Sequence, residues 1–396
     1  MNKHSALRTR QSTVVIVGAG PAGASLAIRL AAAGHSVTLI EKERFPREKL
    51  CGEFISPECF RHFAELGVGE EMLSLGGARI AETRFYDAAG RSVAVPTRWF
   101  GQGDFALSLS RARMDQSLMS RAKAIGVSVL EGARAIDAVV KSGRIKAVTV
   151  KTDNGERFDI EGELFVDASG RAGALARLLD EVRPSKPKLV AFKSHLAGVA
   201  IDQDVCEIYV FPGGYGGLSP IEGGRANLCF IVRAEVAKDL AAANGGHIEL
   251  VALRNTRAAV TLCNAEPNGE WLAVPIASFG KTMRPTAENL ICVGDAAAFI
   301  DPFTGSGMLM ALESAELLAE CALDQGISSS AFGEIYARSH ARKFRNRLVA
   351  SAVLRRAAFM PRLATAAITV TGASDRFRER LARVTRSGSR GHERRA

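Results

Sequence analysis

Apolar residues recur along this chain in two rhythms, and the switches between them mark its elements. Val14 to Val17 and Val37 to Ile40 are short unbroken apolar runs, the pattern of strands buried on both faces. Between them, Ala22 to Ala33 is apolar at helical spacing and stops at Gly34, a residue suited to closing a helix in the left-handed conformation. Unbroken runs return at 164–167 and 289–293. Segments 59–75, 110–126, 306–324 and 331–347 read as helices, with Ser110 placed to cap the second. Helices from about 348 onward are expected to break at Pro361 and Gly372. Shorter runs at 80–110, 127–131, 134–140, 145–151 and 157–161 predict strands, and Asn154-Gly155 is a hairpin turn between the last two. From about 188 to 279 short strands and Gly-Gly turns dominate, with a helical pattern only at 234–262.

This patterning predicts an α/β, two-domain architecture. A Rossmann-like nucleotide-binding domain with a parallel sheet takes residues 1–75, 105–180 and 280–335. An antiparallel-sheet substrate domain, 76–104 and 181–279, is interleaved with it. C-terminal helices and a basic tail occupy 336–396.

The chemistry starts at the first turn. Gly18, Gly20 and Gly23 form G-x-G-x-x-G between a buried strand and a helix opened by Pro21 and Ala22, and the second strand ends on Glu41-Lys42. Gly18 permits the tight turn, Gly20 lets a pyrophosphate approach the backbone, and Gly23 lets helix and strand pack closely. The helix start offers free N–H groups to phosphate. Glu41 suits ribose hydroxyls and repels a 2′-phosphate, so FAD or NAD fits better than NADP.

Composition narrows the setting. The seven cysteines are scattered with no C-x-x-C pair, which argues against a disulfide framework or zinc site and suggests a reducing cytoplasm. The basic residues near the N-terminus precede a strand broken by Gly18, not a signal segment. No apolar run reaches membrane-spanning length. The formal net charge is +10, concentrated from residue 341 onward, where fifteen Lys and Arg face three acidic residues. That basic tail is either a solvated terminus or a patch for an anionic membrane surface or an acidic carrier protein. Nothing supports nucleic-acid binding.

A second constellation lies at 288–320. A strand delivers Gly294-Asp295 to a loop, and Asp301-Pro302 and Gly305-Ser306-Gly307-Met308 lead into a long helix. Such a helix start can face the pyrimidine edge of a flavin and stabilise its anionic reduced ring, while Asp295 can accept from a ribityl hydroxyl. Together with G-x-G-x-x-G…Glu41 and the element Asp167-Ala-Ser-Gly-Arg171, the chain resembles the para-hydroxybenzoate hydroxylase superfamily of FAD-dependent enzymes. Within it the chain is most similar to the geranylgeranyl-reductase-like branch. Cys51-Gly52, Arg111-x-x-Met-Asp115 and the segment 213–232 support that branch. The resemblance implies FAD as cofactor and NAD(P)H as its transient reductant, and it places Arg111 near the cofactor, Cys51 near the flavin ring, and Tyr215 and Pro220 over the substrate. Departures are visible. Gly217, Leu218 and Ser219 stand where that branch carries an aromatic approach to its proline, and Ser169 stands where the hydroxylases often have Asp. The W-x-W-x-I-P element of flavin-dependent halogenases is absent.

The expected function is therefore that of an FAD-dependent oxidoreductase acting on a small organic or lipid-like substrate. The flavin either hands a hydride to a C=C bond or activates oxygen as a monooxygenase. A non-redox cyclase or isomerase and an NAD-dependent dehydrogenase remain as alternatives. Cys51 is the side-chain candidate for chemistry, while His195, in an apolar strand, reads as a satisfied buried histidine. No metal-ligand spacing stands out. A cytoplasmic location, peripheral to the membrane through the tail, is the expected setting.

Overall fold

The computed structural model describes residues 8–11, 13–100, 103–179, 186–242, 246–281, 287–329 and 331–384. The N-terminal residues 1–7 and the end of the basic tail, 385–396, lie outside them. Five parallel strands form the first sheet, in the order Leu290–Cys292, Leu164–Asp167, Val14–Val17, Val37–Glu41, Ser128–Glu131. Strand alternation separates its faces. Val14 and Ile16 meet helices Pro21–Ala32, Arg111–Ala124 and Gly307–Gln325. Val15 and Val17 meet a four-stranded sheet, where Arg8–Gln11 runs parallel to Arg157–Glu161 and the hairpin Ala133–Lys141 and Arg144–Thr152 continues antiparallel.

Another sheet has eight strands, drawn from 82–96 and 189–276 and antiparallel but for one pairing, Val205–Phe211 with Glu82–Tyr86. It too is two-faced. Phe192, Tyr209, Phe211, Leu218, Phe230 and Val232 share one side and pack on the helices of 234–261. The other side looks into a cavity.

Several elements differ from their sequence pattern. The helix expected at 59–75 is two, Cys59–Glu65 and Gly69–Ser74, because Gly67 turns the chain at φ 74°. The stretch 234–262 is three helices, the last capped by Asn255, whose side chain accepts from two backbone N–H groups. The helix expected at 331–347 instead runs Phe332–Ala358, with no Gly or Pro after its first turn to stop it and Phe344, Arg347, Ser351 and Ala358 buried along its length. Pro361–Gly372 and Asp375–Val384 follow. Among the described residues no helix is long and apolar enough to cross a membrane.

Candidate active site

The glycine turn is fixed by backbone proximity. Gly18 has φ 104°, and a Cβ there would sit 2.5 Å from the Ala168 carbonyl oxygen. A Cβ at Gly23 would sit 1.8 Å from the Gly18 carbonyl oxygen. Gly20 differs, since its Cβ would meet only the Arg111 guanidinium, at 3.7 Å. The helix behind it has Pro21 in its first turn, no side-chain cap and no acidic residue there, so its dipole is uncompensated. Glu41 is buried and already accepts from Ala19 N–H at 2.9 Å and Glu43 N–H at 3.1 Å. Its carboxylate therefore ties the two strand ends together and keeps lone pairs for a ligand.

Arg111 opens its helix with the guanidinium forked onto Asp115, Nε at 2.9 Å and Nη2 at 2.7 Å. The i,i+4 spacing of Arg-x-x-Met-Asp produces this fork. Burial opposes the charge on Arg111, but Asp115 outweighs it and holds the group above its ordinary pKa. Arg47 joins from the other side, 3.2 Å from Asp115 and 3.7 Å from Glu41.

Beside it lies Cys51, half-buried, accepting from Glu53 N–H at 3.4 Å. Glu53 is wholly buried, with φ 56°, a left-handed conformation rare outside glycine. Its carboxylate holds Arg111 N–H at 2.9 Å, Lys193 Nζ at 2.8 Å and His195 Nε2 at 2.7 Å. Burial alone would raise its pKa; His195 and Lys193 override that and lower it. Glu48, Glu53 and His195 come within metal-ligand reach of one another. Lys193 Nζ, however, bridges both carboxylates, at 2.5 Å from Glu48 and 2.8 Å from Glu53, so an ammonium group already holds the place between them. His195 is the satisfied buried histidine its strand pattern suggested.

Glu41, Arg47, Glu48, Cys51, Glu53 and Arg111 line one cavity of about 1060 Å³, while Asp115, Lys193 and His195 stand behind its wall. Of the residues singled out from sequence, Gly18, Gly20, Pro21, Ala22, Glu41, Lys42, Cys51, Arg111, Tyr215, Asp295, Gly305, Gly307 and Met308 form its wall. Gly23, Ser306 and Pro220 do not. Gly23 is spent on packing. Ser306 is wholly buried against the Thr304 hydroxyl at 2.7 Å. Pro220 ends its strand opposite Ala226. Burial pushes the Asp295 carboxyl up to about 6, against the pull of Arg171, Arg111 and Lys49.

The far half of the cavity is one face of the eight-stranded sheet. Tyr215, Gly217 and Ser219 alternate onto it, as do Cys206, Ile208 and Val210, Thr83 and Phe85, and Val93 and Val95. The C-terminal helices close it with Leu354, Ala364, Ile368, Thr371 and Leu381. This half is almost wholly apolar. Among its few polar side chains, which include Thr83, Ser219 and Thr371, Tyr215 is the one tied to a carboxylate: its hydroxyl donates to Asp301 at 2.5 Å while Phe303 and Phe359 pack edge-on against its ring. Burial raises both the Tyr215 and the Asp301 pKa values. Asp301 itself borders a separate pocket of about 70 Å³ with Ser351 and Arg355.

The sequence sets Arg47 and Glu53 on either side of Cys51 without showing their partners, and it gives no sign of the Tyr215–Asp301 pair. A signal existed for Lys193, a cation inside the apolar run KLVAFKSHLAGVA. For the partners of Glu53 there was none, because Lys193 and His195 arrive from a strand 140 and 142 residues away.

The family described as FAD binding domain matches residues 11–323. The chain is 26% identical over 320 residues to a digeranylgeranylglycerophospholipid reductase of Methanosarcina mazei, an alignment covering 78% of this chain and 75% of that one. It is 27% identical over 353 residues to a menaquinone reductase of Mycolicibacterium smegmatis, covering 84% and 82%. A flavin-dependent brominase has the same fold, with TM-score 0.78 and 20% identity over 95% of this chain and 93% of that one.

Proposed function

This chain belongs to the FAD binding domain family of FAD-dependent oxidoreductases, and on that premise we propose that it is a reductase that saturates a carbon–carbon double bond in a lipid-like substrate. The residues present fit FAD. Gly20 leaves open the space beneath Arg111, the adjoining helix start is uncapped, and Arg47 Nε is buried with no hydrogen-bond partner, a donor suited to a phosphate or ribose oxygen. Gly18, Gly20, Pro21, Ala22, Glu41, Lys42 and Arg111 would hold the nucleotide half. Asp295, Gly305, Gly307 and Met308 would hold the ring half. Bound FAD, reduced by the NAD(P)H typical of the family, supplies a hydride.

The observation that carries the reading is the pairing of an apolar chamber with a buried proton donor. Reduction of a C=C bond places a hydride on one carbon and a proton on the other. Tyr215 lies on the chamber wall with its hydroxyl hydrogen-bonded to Asp301; burial raises the Asp301 pKa, and a protonated Asp301 would donate to the Tyr215 oxygen and leave the Tyr215 proton for the substrate carbon. The same apolar walls exclude water and suit a long hydrocarbon. The two reductases to which the chain is similar are named for a glycerophospholipid and for menaquinone, which supports a lipid-like substrate.

The test is NAD(P)H-dependent turnover of an unsaturated isoprenoid lipid with and without oxygen. Saturated product formed anaerobically supports the reductase. Strict dependence on oxygen, with an oxygenated product, overturns it in favour of a monooxygenase.

A further inference from the structure

The C-terminal helices have two working faces. Their inner side closes the chamber through Leu354, Ala364, Ile368 and Leu381. Their exposed side carries large apolar residues where solvent should favour polar ones. Of twelve large hydrophobic side chains exposed among the described residues, six fall between 349 and 377: Val349 58%, Val353 59%, Met360 53%, Leu363 48%, Val370 60% and Phe377 49%. Within Pro361–Gly372, Leu363, Ala366 and Val370 recur at helical spacing on the exposed side, while Ala364, Ile368 and Thr371 are buried. Scattered exposed hydrophobics are ordinary, but a cluster of this kind marks an interaction surface.

The charge around the cluster selects its partner. From 341 to 384 the chain has eleven Lys and Arg against two acidic residues, Asp375 and Glu379. Both acids are paired, with Arg378 and Arg383. Arg356, Arg362, Arg376 and Arg380 are exposed among the apolar side chains. A second copy of this chain would bring the same positive charge to the contact. An anionic bilayer offers apolar depth and the opposite charge together.

We propose that the outer face of these helices seats the protein on an anionic lipid surface, with the chamber directly behind it taking substrate from that surface. The second half of this proposal rests on the lipid-like substrate argued above; the attachment itself does not.

The experiment is sedimentation of the full-length flavin-loaded protein with vesicles of phosphatidylcholine alone or mixed with phosphatidylglycerol. Binding to the anionic vesicles at least about ten-fold above the neutral ones, falling as salt rises, is the expected result. Leu363→Asp with Val370→Asp, outside the cavity wall, should abolish it while flavin absorbance and thermal melting stay at wild-type values. Should that pair disturb folding, Arg362→Glu with Arg380→Glu gives the same readout without touching an apolar contact. No preference for anionic vesicles, or undiminished binding by a folded variant, overturns the proposal. So does a concentration-dependent dimer that the same substitutions dissolve. Sedimentation needs no turnover, so failure of the reductase reading and failure of attachment are separate results.

Discussion

The two ends of the cavity are built in opposite ways. At the glycine turn the backbone itself makes the site. Strand end, turn and helix start approach so closely that side chains are excluded, and the remaining groups are charged and locked by bidentate or buried hydrogen bonds. At the sheet end the backbone is a flat support, and alternate side chains from five or more strands set a volume. The first end can recognise one rigid, charged group and tolerates little change. The second recognises length and apolarity, and its selectivity can be altered one side chain at a time.

The most severe way to test that contrast is Gly23→Val. Its Cβ would lie 1.8 Å from the Gly18 carbonyl oxygen, which is backbone and cannot step aside. The expected outcome is loss of the folded, yellow protein, a destabilisation on the order of 4 kcal/mol or more, read by flavin absorbance and melting temperature. A variant that stays yellow with an unchanged melt would mean the helix can slide and that backbone proximity does not define this end.

The same contrast explains what could be read from sequence. Close approach leaves marks, since a glycine or an unbroken apolar run is demanded wherever backbone meets backbone. Gly18, Gly23, Glu41 and the Arg111–Asp115 spacing were therefore visible, as was the alternation of parallel and antiparallel sheets. The chamber left fewer marks. Val93, Ile208 and Ile368 are ordinary strand and helix residues until the fold gathers them on one wall. Glu53 is the extreme case. Its left-handed backbone and its buried charge are stabilised by Arg111, Lys193 and His195, all remote in sequence, so nothing local announces it. Ser306 and Pro220 are the reverse case, motif positions that do not line the cavity in this structure.

The next test acts at the boundary between the two ends. Tyr215→Phe removes the hydroxyl donated to the Asp301 carboxylate and leaves the glycine turn intact. Flavin content should be unchanged and kcat for double-bond reduction should fall about 100-fold. The pH profile separates proton supply from packing. Asp301 must be protonated to restore the Tyr215 hydroxyl, and burial raises its pKa from 3.8. Wild-type kcat should therefore be fullest at low pH and decline as pH rises through that raised value. Asp301→Asn should abolish this limb. An unaltered limb in Asp301→Asn would remove the pair from the reaction.

The mildest change should be the most selective. Gly217 sits on the chamber wall between Tyr215 and Ser219, and its neighbour is the tip of a flexible side chain: a Cβ there would meet Ile208 Cδ1 at 3.1 Å. Ile208 can turn aside where the Gly18 carbonyl cannot. Gly217→Trp should therefore fold, keep its flavin and lose no more than about 1 kcal/mol of stability. The indole would occupy space now left to the substrate. Long isoprenoid substrates should then show KM raised roughly ten-fold, equivalent to about 1.4 kcal/mol of lost binding, while short ones keep wild-type values. A KM that rises equally for both would place the defect in general packing, and one that moves for neither would remove the sheet face from substrate recognition altogether.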